Sequence, residues 1–179
     1  MREENLQSRT KDMVADVVKV VEVENMGRNQ HMTVPYVTVT IPNGIFGSSQ
    51  QYKNHDPKRI QHVEIIGDEV HLYMTKEHRE QAIAEFESYL TLFQQQVDIG
   101  EIELLYGAYE RIDYDEHYRI IRCYVTAEHY FNCGFLAINE TELVIDAMYY
   151  QLYKGLTPSV TFEYIDIETN AQLGQIQYP

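Results

Sequence analysis

The chain has 179 residues, 44% hydrophobic and 23% charged, which is enough for one domain with a sizeable core. Its 28 acids outnumber its 14 lysines and arginines, and residues 61–179 alone hold 21 acids against six bases, so this part repels nucleic acid phosphates and anionic membranes. Two cysteines are too few for a disulfide scaffold. The first residues are polar and no apolar run reaches about 20 residues, so we expect neither a secretory signal nor a membrane span, and predict a cytoplasmic protein.

The first third of the chain predicts two strands followed by a long loop. The valine-rich segment 13–23 favours a strand, and alternating apolar residues predict a second strand over 32–41. Pro35 lacks an N–H group for pairing, so we expect the second strand at a sheet edge or a bulge. Residues 42–60 are rich in Pro, Gly, Ser and Asn, which indicates an irregular loop that acts as a linker.

A hairpin and a long helix are predicted next. Residues 61–74 form two short apolar runs around the turn Gly67-Asp68, and Thr75 is a suitable N-cap for the helix that follows. The apolar residues of this helix recur at spacings of three and four, which predicts one apolar stripe: Ala82, Ile83, Phe86, Tyr89, Leu90, Phe93 and Val97. Residues 98–100 should end the helix.

The second half of the chain begins with a predicted strand pair. Residues 101–112 and 117–126 are expected to pair around a turn at Asp113–Glu116, with Cys123 in the core. A short apolar strand is predicted at 132–138.

A second helix is predicted over residues 140–154. Asn139 and Glu142 have the spacing of a capping box at its start, and Gly155 should end it. The helix is apolar nearly all round, so it should be largely buried.

The last two strands are expected at 159–167 and 172–178, joined by a turn near Thr169-Asn170. Short connections between neighbouring strands favour hairpins. The predicted fold class is therefore α+β, with a mainly antiparallel β-sheet and two principal helices packed on it. We expect a flexible arm at 1–12 and a single domain over 13–179.

One group of residues could carry metal chemistry. Asp113, Asp115 and His117 alternate, so on an extended strand they would share a face and could hold Mg²⁺, Mn²⁺ or Zn²⁺ for phosphodiester hydrolysis. The favoured interpretation is a hairpin turn, in which acids are common, with no metal. The chain also lacks phosphate-loop and dinucleotide-binding glycine patterns, so we expect no cofactor.

The most acidic segment predicts a protein-binding surface. Residues 98–116 hold seven acids and one base, and tyrosines lie among them. Rings beside carboxylates can imitate bases beside phosphates, and tyrosine is enriched at interfaces. The residues predicted to contact a partner are Glu101, Glu103, Tyr106, Tyr109, Glu110, Asp113, Asp115 and Glu116.

These features favour a non-enzymatic acidic inhibitor that masks a basic, nucleic-acid-binding surface of a partner protein, as anti-restriction and anti-CRISPR proteins of phages do. The partner would be a basic protein, with no direct contact to nucleic acid or membrane. One alternative is an immunity-type protein that neutralises a basic toxin. Another is a metal-dependent phosphodiesterase or nuclease that uses Asp113, Asp115 and His117.

Overall fold

The fold consists of seven strands and three helices within the part of the chain that the computed structural model describes. That part comprises residues 36–42, 52, 55–67, 69–100, 109–132 and 136–179, without the side chains of 136–139. The elements are β1 (Tyr36–Pro42), β2 (His62–Ile66), β3 (Glu69–Thr75), α1 (Lys76–Asp98), β4 (Arg111–Tyr114), β5 (Ile120–Val125), α2 (Ala127–Asn132), α3 (Leu136–Tyr153), β6 (Val160–Asp166) and β7 (Gln172–Tyr178). The predicted arm and the predicted strand at 13–23 lie outside it. None of the described helices is long and apolar enough to cross a membrane.

The strands form two sheets, and the α+β class is confirmed. A three-stranded antiparallel sheet has the order β1-β3-β2, and a four-stranded sheet has the order β4-β5-β6-β7. The β5–β6 pair is parallel, whereas β4–β5 and β6–β7 are antiparallel hairpins. A parallel pair needs a long connection, and α2 with α3 supplies it between β5 and β6.

The three-stranded sheet matches its predicted elements. Gly67 has a φ of 59° in the turn between β2 and β3, as a tight hairpin requires. In the described residues β1 is an edge strand, as predicted. Most of the predicted loop at 42–60 lies outside the described residues, but Ile60 packs against the core of this sheet. Arg59 donates two hydrogen bonds to the Glu85 carboxylate, at 2.6 and 2.8 Å.

Helix α1 begins and ends as predicted. The Thr75 hydroxyl accepts a hydrogen bond from the His78 N–H at 3.2 Å, which is an N-cap contact. Gly100 has a φ of 68° just past the last turn. Leu90 and Val97 from the predicted stripe are buried in the core.

The region before the second helix differs from the prediction. Residues 127–132 form α2, and α3 already begins at Leu136, so the predicted strand at 132–138 and the capping box at Asn139 are wrong. Short apolar runs fit both a strand and a buried helix, and tertiary contacts decide between them. Here Glu140 is buried within α3 and accepts hydrogen bonds from the hydroxyls of Tyr164 and Tyr178 on β6 and β7. Gly155, with a φ of 77°, ends the helix as predicted.

The helices α1 and α3 cover both sheets. The first half of α1 and the last turn of α3 pack on the three-stranded sheet, with Phe86, Leu152 and Tyr153 in contact with its buried face. The rest of both helices packs on the four-stranded sheet, where Leu90, Phe162 and Cys123 are buried. This shared helical layer leaves one outward side of α1 and α3 facing solvent.

Gln151 links α3 to the β4–β5 turn. Its side chain is fully buried and donates to the carbonyls of His117, Tyr118 and Ser159 at 3.1 to 3.2 Å. Its own carbonyl accepts from the Ser159 N–H at 2.7 Å. A buried amide with its polar atoms paired in this way holds the turn and the start of β6 in one position against α3.

Candidate functional site

Only part of the predicted partner-binding segment can be located. Glu101, Glu103 and Tyr106 lie outside the described residues. Tyr109 was assigned to the binding surface by its acidic neighbours, but it is only 5% exposed. It belongs to the cluster of side chains between the four-stranded sheet and the helices, so its ring packs the interior and is not available to a partner.

The acids of the β4–β5 hairpin lie near arginines. Asp113 contacts Arg111 at 3.2 Å and lies opposite Arg122 in the strand register. Arg122 in turn donates to Glu163 on β6 at 2.9 Å. The Arg111 guanidinium also covers the Tyr124 ring, 3.6 Å from its centroid. This sheet face therefore alternates acids and bases, and its field is largely neutralised.

The ends of the hairpin are more open. Glu110 and Glu116 are exposed, which agrees with their predicted accessibility. Asp115 is half-buried, and its carboxylate accepts a hydrogen bond from the Ile120 N–H at 2.9 Å. The turn spans residues 115–119, two residues later than predicted, and Tyr118 takes a φ of 53° within it. Asp115 is thus a turn residue whose carboxylate is bonded to the backbone of Ile120, at the far end of the turn.

The alternating residues Asp113, Asp115 and His117 do not form a metal-binding cluster. Among the described residues, no group of three or more His, Cys, Asp and Glu side chains is placed to hold a metal ion. The strand ends at Tyr114, so the period-two alternation that would put all three on one face stops before Asp115. The geometry therefore gives no support to the hydrolase alternative.

A groove between α1 and α3 is the site that the structure adds. The helices run antiparallel, because Arg79 near the start of α1 donates to the Tyr153 carbonyl at the end of α3, at 2.6 Å. Further along, the Phe86 and Tyr149 rings stack with centroids 5.6 Å apart. Next to this stack lies a cavity of about 200 Å³, which we call the helical groove. Its lining residues are Tyr89, Leu92, Phe93, Gln96, Glu142, Leu143 and Asp146.

An exposed apolar ridge on α1 borders this groove. Tyr89, Leu92 and Ile99 are 57%, 50% and 64% exposed. Their spacings of three and seven place them on one side of the helix, over about 15 Å of its length. A second hollow of about 370 Å³ lies on the other side of Leu92, and Glu87 and Thr91 line it. Leu92 is thus the crest between two depressions.

Acids outnumber bases in this helical layer, although α1 begins with Lys76, His78 and Arg79, and two of its acids are paired: Glu80 with Lys76 and Glu85 with Arg59. Residues 80–98 of α1 and 136–153 of α3 contain seven acids and no Lys, Arg or His. Glu87 and Glu142 are exposed. No ion pair among the described residues involves Glu87, Glu142 or Asp146. Burial, and then the neighbouring Glu142 carboxylate, raise the pKa of Asp146 above its ordinary value. Such a carboxylate gains from a cation brought close to it.

Sequence reasoning missed this groove for a definable reason. Tyr89 was counted in the buried apolar stripe of α1, yet it is more than half exposed. Leu92 fell outside that stripe, and a leucine on the side of α1 away from the core was the sequence feature that could have indicated an exposed binding site. The pairing of α1 with α3 is a long-range contact that no local pattern contains.

Comparison of the chain with protein-family models, with curated proteins and with solved structures finds no match.

Proposed function

We propose that this protein is a non-enzymatic acidic binding protein that masks a basic, nucleic-acid-binding surface of a partner protein. The observation that carries the proposal is the outward side of α1 and α3, where Glu87, Glu142 and Asp146 take part in no ion pair among the described residues. A surface of one sign attracts a basic protein patch at a distance and orients it before contact. Nucleic-acid mimics of the anti-restriction and anti-CRISPR kind work by this physics.

The helical groove supports a protein partner in particular. Exposed Tyr89 and Leu92 supply apolar area that a surface built only to attract cations does not need. The carboxylates of Glu142 and Asp146 line the same cavity. An apolar centre beside carboxylates suits a basic patch that itself contains aliphatic or aromatic side chains.

The hairpin acids take a smaller place in this proposal. Glu110 and Glu116 are exposed and can extend the negative surface. Asp113 and Asp115 are already engaged, with Arg111 and with the Ile120 N–H. We therefore assign to the hairpin a share of the long-range attraction and to the groove the contact itself.

Capture from host lysate, followed by competition, tests the proposal. The immobilised protein is incubated with lysate in 50 mM salt and then washed with excess double-stranded oligonucleotide or single-stranded RNA. We expect basic nucleic-acid-binding proteins to be captured and to be released by one of the nucleic acids, because mask and nucleic acid compete for one surface. The matched control is the triple variant Glu87→Lys, Glu142→Lys, Asp146→Lys, which should capture much less.

Two results would contradict the proposal. One is a captured partner that stays bound in excess nucleic acid, and the other is an association rate that does not change between 50 and 500 mM salt. A captured toxin nuclease that loses activity in the complex would identify the partner as that of an immunity protein.

A further inference from the structure

The geometry points to a specific occupant: we propose that the helical groove binds an amphipathic, arginine- or lysine-bearing helix of the partner, with an apolar side chain seated beside Leu92. This inference rests on the proposed function, since it names the element of the basic partner that makes the contact. A flexible polycation held by charge alone would not satisfy this inference, because it would have no need of the apolar contact beside Leu92.

The apolar part of the site is the first support. Leu92 and Tyr89 are at least half exposed on α1, and Phe93 and Leu143 line the cavity beneath them. Exposed apolar ridges next to a cavity are typical of interaction sites, and a helix laid in a groove inserts side chains at spacings of three, four and seven residues. The span from Tyr89 to Ile99, with Gln95 and Gln96 between Leu92 and Ile99, is about 15 Å and matches about ten residues of a bound helix.

The charges on both sides of Leu92 are the second support. Glu142 and Asp146 lie on the α3 side, and Glu87 lies on the opposite side of the ridge. A bound helix with apolar residues along its centre and arginines on its flanks would place cations near both sets of carboxylates. Charge complementarity on two sides of an apolar line fits an amphipathic helix better than a uniformly basic strand.

The same charges argue against a second copy of this chain in the groove. A two-fold interface through the groove would bring Glu142 and Asp146 close to the same residues of the other copy. The segments 80–98 and 136–153 have no basic residue to offset that repulsion. A basic partner faces no such cost.

Two synthetic peptides of identical composition test the occupant. Both have 18 residues with leucine, arginine and alanine; in one, the leucines follow helical spacing with arginines on either flank, and in the other the order is scrambled. Binding is measured by fluorescence anisotropy at 50 mM salt. We expect the amphipathic peptide to bind the wild-type protein at least about tenfold more tightly than the scrambled one, which corresponds to about 1.4 kcal/mol.

Protein variants locate the binding. Leu92→Gln should lower the affinity for the amphipathic peptide about tenfold and leave the scrambled peptide nearly unaffected. The matched control is Ile176→Gln on β7, an exposed isoleucine remote in sequence and on another element, which should change neither. The double variant Glu142→Gln, Asp146→Asn should weaken both peptides and reduce the salt dependence. Thermal melting confirms that each variant folds.

The outcomes separate this inference from the proposed function. Equal binding of the two peptides, or an unchanged affinity in Leu92→Gln, would overturn the helix-in-groove inference and leave the acidic mask standing. Failure of both peptides to bind at 50 mM salt would contradict the proposed function as well.

Discussion

The β4–β5 hairpin and the α1–α3 pair are both rich in acids, but they hold their charges differently. Residues 109–126 carry four acids and three arginines, whereas residues 80–98 and 136–153 carry seven acids and no base. On the hairpin, the strand register sets Asp113 opposite Arg122, and Arg122 bonds to Glu163 at 2.9 Å. On the helices, Glu87, Glu142 and Asp146 have no such neighbour in the described part.

The difference teaches that a segment's net charge does not predict the field at a surface. Strand pairing brings side chains from distant parts of the chain within about 5 Å of each other, so a segment acidic by itself can become neutral in a sheet. Beyond the first turn of α1 neither helix has a basic residue, and although Glu85 pairs with Arg59, no ion pair among the described residues involves Glu87, Glu142 or Asp146. The helical layer is therefore the stronger candidate for attracting a basic partner.

The largest expected effect concerns the link between the two regions. Gln151→Leu removes a buried amide that bonds to the His117, Tyr118 and Ser159 backbones. Each buried polar group left unpaired costs about 1–3 kcal/mol, so we expect a loss of at least about 3 kcal/mol in the free energy of unfolding. Urea unfolding measures it, with Gln95→Leu on the exposed side of α1 as the control, which should stay within about 0.5 kcal/mol. A loss below about 1 kcal/mol would show that the hairpin turn and α3 are held together by other contacts.

Charge reversal compares the two regions directly. The triple variant Glu87→Lys, Glu142→Lys, Asp146→Lys should slow association with the amphipathic peptide at least about tenfold at 50 mM salt. The matched hairpin variant, Glu110→Lys, Asp113→Lys, Glu116→Lys, should slow it less than about threefold, because Arg111 and Arg122 beside Asp113 already weaken the negative field of this sheet face. Stopped-flow fluorescence gives both rates, and thermal melting confirms that both variants are folded at the temperature of the measurement. A larger effect of the hairpin variant would return the binding surface to the segment that the sequence favoured.

The turn of the hairpin can be tested for a structural or a metal role. Asp115→Ala should lower the free energy of unfolding by about 1 kcal/mol, because the 2.9 Å hydrogen bond from the Ile120 N–H is lost. It should leave binding of the amphipathic peptide unchanged. Asp113→Asn should have a smaller effect. Thermal unfolding measures the cost, and isothermal titration with Mg²⁺, Mn²⁺ and Zn²⁺ should give no stoichiometric site. A micromolar site that either change abolishes would revive the hydrolase alternative.

The smallest expected effect is a pH dependence at Asp146. The pKa of Asp146 is raised by burial and by Glu142, so the folded state disfavours the ionised form. The protonated Asp146 is therefore more favourable to folding than the ionised one, and this advantage is lost as pH rises through the folded-state pKa. Asp146→Asn should therefore raise the Tm slightly at pH 7, and the gain should shrink toward about pH 4, near the unfolded-state pKa. Calorimetry at several pH values measures this, with Glu116→Gln as the exposed hairpin control. A Tm that falls at pH 7 would mean that the Asp146 carboxylate is stabilised in the fold.

Local patterns predicted the elements that are set by neighbouring residues. The Thr75 cap, the end of α1 at Gly100, the β2–β3 turn at Gly67 and the end of α3 at Gly155 depend on capping and on left-handed backbone conformations, which are short-range properties of the chain. The α+β class follows from the same patterns, because hairpin spacing and helical periodicity are both local.

Tertiary structure decided the points at which a local pattern fits two structures or at which distant segments meet. Residues 136–138, predicted as part of a strand, belong to α3, and Glu140 in the same helix pairs with Tyr164 and Tyr178, which are 24 and 38 residues away. The parallel β5–β6 pair, the burial of Tyr109 and the neutral face of the hairpin also come from pairings across the chain. The helical groove exists only because α1 and α3 pack side by side, and sequence alone carries the charge of each helix but not the surface they form together.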